Sequence, residues 1–417
     1  MRRVAVTGLG AITPVGNTVP EFWNSLCAGR NGIGEITKFD TTDYKVKIAA
    51  EVKNFNALDH MEKGEARRED AFSQYAIAAA AEAMADSGLV AGGEHSNIDP
   101  ERLGVYVGSG TGGMTTFMEE AKKLIADGPR KISPFFITML IGNIAAGNIA
   151  IRFNAQGPTL PVVTACATST NAVGEAYRAI RYGYADAVIA GGSEATIVPL
   201  AVAGFTNCMA LTTRNDVDQC SIPFDKRRDG FVMGEGSGIL VLEEYEHAVQ
   251  RGAKIYAEVA GYGNTCDAHH VTAPRPDGLG GARAIRLAVE EAGAEMVPGG
   301  EIYYNAHGTS TPMNDKTETA AIKAAFGENK AHELHISSTK SMTGHMLGAA
   351  GAVEAIATVL ALRDGVVPPT IGYQEPDADC DLNYTPNRSV SAAIRLGLSV
   401  SLGFGGHNGC LAFRKVE

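Results

Sequence analysis

The sequence carries the same order of strands and helices twice, and this repetition constrains the fold more than any other feature of the chain. The first copy comprises a strand over 4–10, an Ala-rich helix over 71–87, a strand over 103–108, and a strand over 162–166 that leads into a helix. The second copy comprises a strand over 255–261, a helix over 281–292, a strand over 302–306, and a strand over 335–339 that leads into a long helix. Short strands that alternate with helices indicate mostly parallel sheets covered by helices. We therefore predict two facing α/β halves, with domain bounds at 1–254 and 255–417.

Two apolar stretches need an interpretation beyond this plan. The first half is longer than the second because of an additional segment at about 112–155, which is apolar enough to predict burial. Burial against a second subunit and a local cap over its own domain both remain open. The stretch 342–362 is long enough to span a membrane, but it contains His345 and Glu354. We interpret it as a buried helix.

Composition and charge exclude several classes of function. The 417 residues carry a net charge of -11 and are 45% hydrophobic, which predicts a large packed core. Binders of nucleic acid or of anionic membranes need an excess of Lys and Arg, so we expect neither partner. The seven cysteines lack paired spacing, and the N-terminal apolar run is too short for a signal peptide. Both features predict reduced thiols and a cytoplasmic location.

Cys166 is the candidate nucleophile. It lies where a β-rich run meets a helix of small residues. A cysteine at a helix N-terminus faces unpaired amides and the positive end of the helix dipole, which lower the pKa of the thiol and favour the thiolate. Most isolated cysteines are inert core residues, so this interpretation requires partners elsewhere in the chain.

Two histidines of the second half are the candidate partners. His307 follows the strand over 302–306, and His345 stands at the start of the long helix, each in a turn rich in Gly and Thr. Loops at strand ends are where α/β enzymes build their sites. Neutral imidazoles there can donate hydrogen bonds to an oxygen that gains negative charge.

Lys340 and Glu354 are ionisable residues in apolar surroundings. A buried charge is costly unless it is paired, so we predict that the two residues form a buried ionic network. Whether they only hold the loop of His345 or transfer protons directly stays open.

The run 402–409 near the C-terminus predicts a Gly-rich turn with one aromatic residue, Phe404. Glycines let backbone amides approach a ligand, and Phe404 could act as a movable wall of the site. An ordinary tight turn between two strands is the alternative.

Two motifs point to other enzyme classes but lack the context that those classes need. The run 108–113 matches G-x-G-x-x-G after a strand, as in dinucleotide-binding oxidoreductases. The segment that follows runs into Pro129 and Pro134 instead of a strand that ends in an acidic residue. The run 337–340 matches S-x-x-K of penicillin-recognising enzymes, but neither S-D-N nor K-T-G accompanies it. We discount both, and we expect no cofactor and no catalytic metal.

Taken together, the motifs resemble those of the β-ketoacyl-acyl-carrier-protein synthases, most closely the synthase II type. The segments that carry the resemblance cover nearly the whole chain: 6–10, 164–169, 223–230, 234–236, 305–315, 340–351 and 403–408. The resemblance implies an α/β fold of the thiolase-like type, with two pseudo-repeated halves and helices packed between and around two mixed sheets. It also implies a homodimeric acyltransferase that extends acyl chains by decarboxylative Claisen condensation.

The same resemblance assigns catalytic roles. Cys166 would accept the acyl group, and the backbone amides of Cys166 and Phe404 would form the oxyanion hole. His307 and His345 would stabilise the enolate that forms from malonyl carrier protein, and Phe404 would also gate access. Lys340 would organise this half of the site.

Further residues would support the site or contact substrate. Glu354 and Asp315 would hold the catalytic loops in place. The residues expected to contact substrate are Thr309, Thr311, Thr111, Gly403 and Gly405.

The implied partner is an acyl carrier protein that bears acyl or malonyl groups. Carrier proteins are acidic, so an acidic synthase needs a positive docking patch. Basic residues occupy the positions that similar enzymes use for this contact: Arg67, Arg68, Arg130, Lys131 and Arg214.

Three positions depart from the family pattern. His407 and Val400 leave the hydrogen bonding behind the Phe404 turn open, and Thr111 stands where relatives often carry a larger apolar residue. Chain-length preference is therefore open. The alternatives to fatty-acid elongation are the ketosynthase of a type II polyketide system and an inactive carrier-protein scaffold, and the intact cysteine and histidines argue against the scaffold.

Overall fold

The computed structural model of the protein describes residues 1–416. Over this range the chain forms thirteen strands and fourteen α-helices. The strands are β1 Val4–Ile12, β2 Gly34–Glu35, β3 Ile48–Ala49, β4 Leu103–Gly108, β5 Ala187–Glu194, β6 Gly236–Glu244, β7 Ala257–Cys266, β8 Ile302–Asn305, β9 His335–Ser337, β10 Val366–Val367, β11 Val390–Ser391, β12 Leu396–Gly403 and β13 His407–Arg414. The helices are α1 Val19–Cys27, α2 Lys63–Ala66, α3 Ala71–Ser87, α4 Met114–Asp127, α5 Phe136–Leu140, α6 Ile144–Arg152, α7 Thr168–Arg181, α8 Pro199–Asn207, α9 Tyr245–Gln250, α10 Leu279–Glu291, α11 Pro312–Phe326, α12 Glu328–Glu333, α13 Lys340–Thr343 and α14 Ala350–Asp364.

Strand pairing repeats between the two halves of the chain. In the first half β4 and β5 are parallel, and β6 and β1 follow as antiparallel neighbours. In the second half β8 and β12 are parallel, and β13 and β7 follow in the same way. The second half adds β9 beside β8, and the first half adds a parallel bridge from Thr159 to Val105 of β4. The predicted α/β class and its repeat are confirmed.

The sheet differs from the expectation in one respect. β1 pairs with β7 over three residues, Val4 to Val6 against Ala257 to Val259. The two expected mixed sheets are therefore joined, and nine strands of the described range form one sheet in the order β4-β5-β6-β1-β7-β13-β12-β8-β9.

Alternating side chains of the strands fill separate core layers, because successive residues of a strand point to opposite faces. Val105 and Ile189 pack with α3 and α6 on the outer face of the first half. Leu240 of the first half and Leu411 of the second share a central cluster with buried residues of α7 and α14. The other face of the second half packs on α10 and α11. The helices α7 and α14 therefore lie between the two halves.

Two sequence predictions of local structure are wrong, and both concern the site. The predicted strand over 162–166 is absent from the described elements, and Cys166 lies instead in a short 3-10 turn, Ala165–Ala167. The predicted long helix over 342–362 is broken between α13 and α14. Gly344 and Leu347 have φ values of +63° and +47°, which a right-handed helix cannot contain. In residues 1–416, no helix is long and apolar enough to cross a membrane.

The additional segment at 112–155 forms α4, α5 and α6. Ala145, Ala146 and Ile149 of α6 are buried against α3, which matches the local-cap interpretation. Ile137 and Ile151 of the same segment are 59% and 81% exposed, so part of its apolar surface is left uncovered within one chain.

Candidate active site

The turn that carries Cys166 holds its backbone in an uncommon conformation. Ala165 has a φ of +52°, a value that costs a residue with a Cβ free energy and that clusters at functional sites. The Thr164 amide donates to the Thr168 hydroxyl at 2.9 Å, which ties the start of the turn to the first residue of α7. The chain thus turns sharply at the cysteine and presents it just ahead of a fourteen-residue helix.

Burial, rather than the helix dipole, determines the protonation of Cys166. Desolvation raises the pKa of its thiol to about 11. The Lys340 ammonium and the backbone amides of Phe404 and Cys166 lower that pKa, in the direction predicted from sequence, but they do not outweigh burial. Burial therefore reverses the lowering of the thiol pKa that the helix N-terminus predicts.

His307 is positioned by a buried carboxylate. It follows β8 by two residues, and its backbone amide donates to Glu318 Oε1 at 2.7 Å. The Gly308 amide donates to the other oxygen of Glu318, also at 2.7 Å. Glu318 lies on α11 and is fully buried, and this burial raises the pKa of its carboxyl to about 7.

His345 is positioned by its own backbone. Its amide donates to the Val232 carbonyl at 2.7 Å, and its carbonyl accepts from the Gly234 amide at 2.8 Å. The Phe231 ring meets the imidazole edge-on, with centroids 5.1 Å apart. Both ring nitrogens of His345 are buried and have no hydrogen-bond partner among the described residues.

The three side chains converge on one cavity. One donor atom from each of Cys166, His307 and His345 lies within 4.8 Å of the others, and the two imidazole rings meet edge-to-face at 5.3 Å. The cavity they line measures about 460 Å³. Burial and the nearby Lys340 ammonium hold the pKa of both imidazoles well below the ordinary value for histidine, so both rings are neutral at pH 7. Two neutral hydrogen-bond donors therefore face a thiol in a shielded pocket.

Lys340 and Glu354 form the predicted buried ion pair behind the histidines. Lys340 Nζ bonds Glu354 Oε1, and each side chain is almost wholly buried. Burial raises the pKa of the Glu354 carboxyl to about 7, against the opposing effect of Lys340. Neither residue lines the cavity.

The Phe404 turn lies against the Cys166 turn. Residues 404–406 connect β12 to β13, and Phe404 lines the cavity. A Cβ placed on Gly403 would lie 2.9 Å from the Thr164 carbonyl oxygen and 3.3 Å from the Cys166 nitrogen. Only glycine at position 403 lets the two turns approach this closely. The backbone amides of Cys166 and Phe404 both act to lower the pKa of the Cys166 thiol.

Glu194 is a residue of this site that sequence reasoning missed. It ends β5, is fully buried, and lines the cavity. Its Oε2 accepts from the amides of Gly110 and Gly348 at 2.9 Å each, and its Oε1 accepts from the Thr111 hydroxyl at 2.7 Å. The G-x-G-x-x-G amides that would hold a phosphate thus hold a protein carboxylate.

The remaining predicted site residues divide into two groups. Thr309, Thr311, Thr111 and Gly403 line the cavity, and the hydroxyl oxygens of Thr309 and Thr311 are 3.0 Å apart. Gly405 does not line it.

Asp315 is also absent from the cavity wall and is fully buried. It accepts from the Phe224 amide at 2.8 Å and lies 3.7 Å from Arg228. It therefore joins the first turn of α11 to the segment around residue 224.

The predicted docking residues lie on the surface with one exception. Arg67, Arg68, Arg130 and Lys131 are exposed, and the Arg68 guanidinium stacks over the Phe135 ring at 4.9 Å. Arg214 differs, because its guanidinium is half-buried. It donates to two backbone carbonyls, those of Gln219 and Arg227.

Family models match both halves of the chain. The N-terminal domain of beta-ketoacyl synthase matches residues 1–248, and the C-terminal domain matches residues 256–374. The chain belongs to the beta-ketoacyl synthase family.

Relatives of this ketosynthase agree along their whole length. It is 51% identical to "3-oxoacyl-[acyl-carrier-protein] synthase 2" of Synechocystis sp. over 419 residues, which covers 100% of this chain and 99% of that relative. The protein of the same name from Staphylococcus aureus is also 51% identical, over 416 residues, with the same coverage. The resemblance to the synthase II type is confirmed.

Solved structures share the fold of the synthase. The ishigamide ketosynthase/chain length factor superposes with a TM-score of 0.90 at 38% identity, and a beta-ketoacyl synthase from Burkholderia phymatum with 0.90 at 34%. A type II PKS ketosynthase, solved in complex with its acyl-carrier protein, superposes with 0.89 at 37% identity. Each comparison covers 100% of both chains.

Two departures from the family pattern have different surroundings. Val400 is fully buried in the apolar core of the second half, where a methyl-bearing side chain fits. His407 is half-buried at the start of β13 and pairs with Cys266 of β7.

Proposed function

We propose that this ketosynthase catalyses 3-oxoacyl-acyl-carrier-protein synthesis, in which an acyl group on Cys166 condenses with malonyl carrier protein as carbon dioxide leaves. The observation that carries the proposal is the convergence of one thiol and two neutral imidazoles, with donor atoms within 4.8 Å of one another. A thiol supplies a nucleophile that is also a good leaving group, and two neutral donors supply an electron sink without a metal.

The first half-reaction transfers the acyl group. The Cys166 sulfur attacks the thioester carbonyl, the bond to the carrier thiol breaks, and the Cys166 proton leaves with that thiol. The developing oxyanion accepts hydrogen bonds from the amides of Cys166 and Phe404, whose turns lie against each other at Gly403. Because the thiol pKa is about 11, deprotonation is part of the acylation step.

The second half-reaction forms the carbon-carbon bond. His307 and His345 donate to the malonyl thioester oxygen, which becomes an enolate oxygen as carbon dioxide leaves. The resulting carbanion attacks the acyl carbon on Cys166, and the thiol is released. Neutral rings suit this role, because an imidazolium would lose its proton to the enolate.

The surrounding residues position the catalytic side chains or border the substrate path. Burial, together with the charge of the Lys340 ammonium, keeps both imidazoles neutral, and Glu354 and Asp315 hold the segments around the site. Phe404 gates the cavity, and Thr309, Thr311, Thr111, Gly403 and Gly405 form or border the substrate path. In this division of labour, residues 1–254 supply the nucleophile and residues 255–417 supply both histidines.

An acyl carrier protein is the proposed partner, docked on the exposed basic group Arg67, Arg68, Arg130 and Lys131. The contact of Arg68 with Phe135 supports a single continuous patch. Arg214 is the weakest member, because backbone carbonyls already occupy its guanidinium.

A homodimer is the proposed assembly. Both edges of the nine-stranded sheet are bordered by a further segment of the chain over the described range. At β9, the Ile336 amide donates to the Asn383 carbonyl, and at β4 the Leu160 amide donates to the Val105 carbonyl. The segment beside β4 leaves Leu160 and Val163 50% and 58% exposed. These exposed apolar side chains favour burial against a partner, and the same segment of a second copy supplies a matching surface.

The proposed location is the cytoplasm. All seven cysteines are free, and reduced thiols fit that compartment. No cofactor takes part in the proposed reaction.

Sequence identity to named relatives favours fatty-acid elongation over polyketide synthesis. The relatives named 3-oxoacyl-acyl-carrier-protein synthase 2 are 51% identical, against 37% for the ketosynthase of the type II PKS structure.

The test supplies acyl and malonyl carrier protein to the purified chain and follows 3-oxoacyl carrier protein by mass spectrometry. Cys166→Ala should abolish condensation, and the acyl group trapped on the wild-type protein should map to Cys166. His307→Ala should slow malonyl decarboxylation by about 100-fold or more, the usual cost of one lost oxyanion donor. Normal condensation by Cys166→Ala would contradict the proposal.

A further inference from the structure

The catalytic cavity brings together three side chains of the types that bind metals. Cys166, His307 and His345 each offer a donor atom within 4.8 Å of the other two. His307 Nδ1 and both ring nitrogens of His345 are buried without hydrogen-bond partners among the described residues. We propose that these three residues form a binding site for a soft divalent cation, with Zn²⁺ as the reference ion, whenever Cys166 carries no acyl group.

The donor set fits zinc. One thiolate and two neutral imidazoles are ligands that Zn²⁺ prefers, and they discriminate against Mg²⁺ and Ca²⁺, which prefer oxygen ligands. The Cys166 S–H bond breaks on binding, its proton passes to water, and the S–Zn bond forms in its place.

The geometry requires only a small contraction. Zn–S bonds of about 2.3 Å and Zn–N bonds of about 2.0 Å place tetrahedral donors roughly 3.3 to 3.6 Å apart. The donors here already lie within 4.8 Å. The His345 ring can move toward the ion, because no hydrogen bond holds either of its nitrogens and its aromatic contacts are edge contacts with Phe231 and His307.

The surrounding charges allow a second cation beside Lys340. The Lys340 ammonium opposes the metal, but it is already paired with Glu354. Glu194 adds a carboxylate to the cavity wall. The carboxylates of Glu354 and Glu194 and the Cys166 thiolate therefore balance the charges of the Lys340 ammonium and one divalent ion.

The bound ion would close the site. Three protein ligands leave a fourth position for water, and this position faces the cavity of about 460 Å³. The same sulfur cannot hold both the ion and an acyl group, so metal and acyl donor exclude each other. The cation is thus a reversible block of the free enzyme and no part of the condensation.

A second group of ligand-type residues serves as a control. Glu328, His332 and Asp381 lie together on the surface, but Lys323 bridges the two carboxylates at 2.8 Å each. This group is exposed and already neutralised. A metal spectrum that depends on His332 would therefore indicate non-specific binding at the surface.

The test titrates the full, metal-free chain with Co²⁺, whose spectrum reports its ligands. We expect one cobalt per chain, a sulfur-to-cobalt charge-transfer band and the ligand-field bands of a tetrahedral ion, all displaced by Zn²⁺. Cys166→Ser should remove the charge-transfer band, and His345→Asn should weaken binding at least about tenfold, since even indirect partners of a metal are worth 10- to 100-fold. Cys208→Ser, which removes an exposed thiol at the cavity rim, and His332→Ala should leave the spectrum unchanged.

A second measurement needs no variant. Zn²⁺ should slow iodoacetamide labelling of Cys166 in the wild-type protein, mapped by mass spectrometry, while labelling of Cys208 keeps its rate. Absence of the bands at saturating Co²⁺, their survival in Cys166→Ser, their loss in His332→Ala, or unchanged labelling of Cys166 would each overturn the site. None of these readouts depends on condensation activity, so this inference and the proposed function can fail independently.

Discussion

Glu194 shows how one side chain can fix two loops of a cavity. Its Oε2 accepts from two backbone amides, Gly110 and Gly348, while Oε1 accepts from three side chains, including the Thr111 hydroxyl. These loops are joined through a fully buried carboxylate. The shape of the cavity near Thr111 therefore depends on a residue that does no chemistry.

Glu194→Gln should destabilise the protein and change substrate affinity together. The amide group that replaces Oε2 faces two N–H donors, and each buried donor left unpaired costs about 1 to 3 kcal/mol. We expect the free energy of unfolding to fall by about 2 to 4 kcal/mol, with a changed KM for long acyl donors. Denaturant unfolding and initial-rate kinetics measure the two effects.

Thr196→Val is the matched control, because it removes one hydrogen bond to Glu194 and should cost about 1 kcal/mol. Equal losses in the two variants would argue against the role of Glu194.

His345 should make the protein sensitive to acid. Its pKa in the folded protein is well below its ordinary value, so the unfolded chain binds a proton that the folded chain does not. Stability from this residue is present above about pH 6.5 and is lost as the pH falls, by about 1 kcal/mol for each pH unit. Glu318 and Glu354 act in the opposite direction, because their raised pKa values favour the folded state on acidification.

The comparison of wild type with His345→Asn isolates the histidine, because the carboxylates are common to both proteins. Lowering the pH from about 7.5 to about 5.5 should reduce the Tm of the wild type more than that of the variant. Thermal unfolding at the two pH values measures the difference. If the variant lost as much or more, the imidazole would not be the acid-sensitive group.

At the scale of elements, the site depends on the close approach of two turns. The turn after β12 meets the turn before α7, and Gly403 leaves no room for a side chain there. Gly403→Ala should move the Phe404 amide away from the sulfur and slow acylation of Cys166 by about tenfold or more, within the range for a damaged oxyanion donor. Single-turnover acylation followed by mass spectrometry measures the rate. Gly147→Ala is the control, because no atom lies within 4 Å of a Cβ at that position. An acylation rate equal to that of the control would refute this account of the turn.

The elements that sequence predicts best are those whose residues decide their own structure. The helix over 71–87 and the strand over 103–108 have the predicted bounds. Asp70 caps the start of the helix and Gly88 ends it, and an apolar run forms the strand. The break between α13 and α14 was not predictable. His345 pairs with Met233 through hydrogen bonds to Val232 and Gly234, and this distant contact overrides a continuous apolar pattern.

The same distinction between local patterns and distant contacts explains which site residues the sequence reveals. Cys166, His307 and His345 stand in short Gly- and Thr-rich turns that are visible as local patterns. Glu194 and Glu318 hold backbone amides, and a backbone amide leaves no mark in a sequence. The Cys166 pKa was mispredicted because its helix N-terminus is a local feature, whereas its burial comes from the whole fold.

At the scale of the whole molecule, an acidic chain has to attract an acidic partner. The net charge of -11 repels an acidic carrier protein at long range, so a local basic patch must overcome it. Charge reversal by Arg130→Glu and Lys131→Glu should raise the KM for acyl carrier protein while sparing small thioester substrates. Steady-state kinetics with both substrates measures the effect. Arg283→Glu, at an exposed residue outside the patch, is the control. A KM that stays unchanged in the double variant would count against docking at this patch.

We propose that the exposed apolar segment beside β4 forms the dimer interface. Leu160 and Val163 are half exposed or more in a single chain, and they lie on the segment that borders the outermost strand. Leu160→Lys with Val163→Lys would place two ammonium groups opposite two more across a twofold axis, where burial of unpaired charge is costly. We expect the double variant to be monomeric at concentrations where the wild type is a dimer, as measured by analytical ultracentrifugation. Met296→Lys, at a side chain that is 93% exposed in the second half, should leave the mass unchanged. A double variant that still sediments as a dimer would show that the two copies meet through a different face.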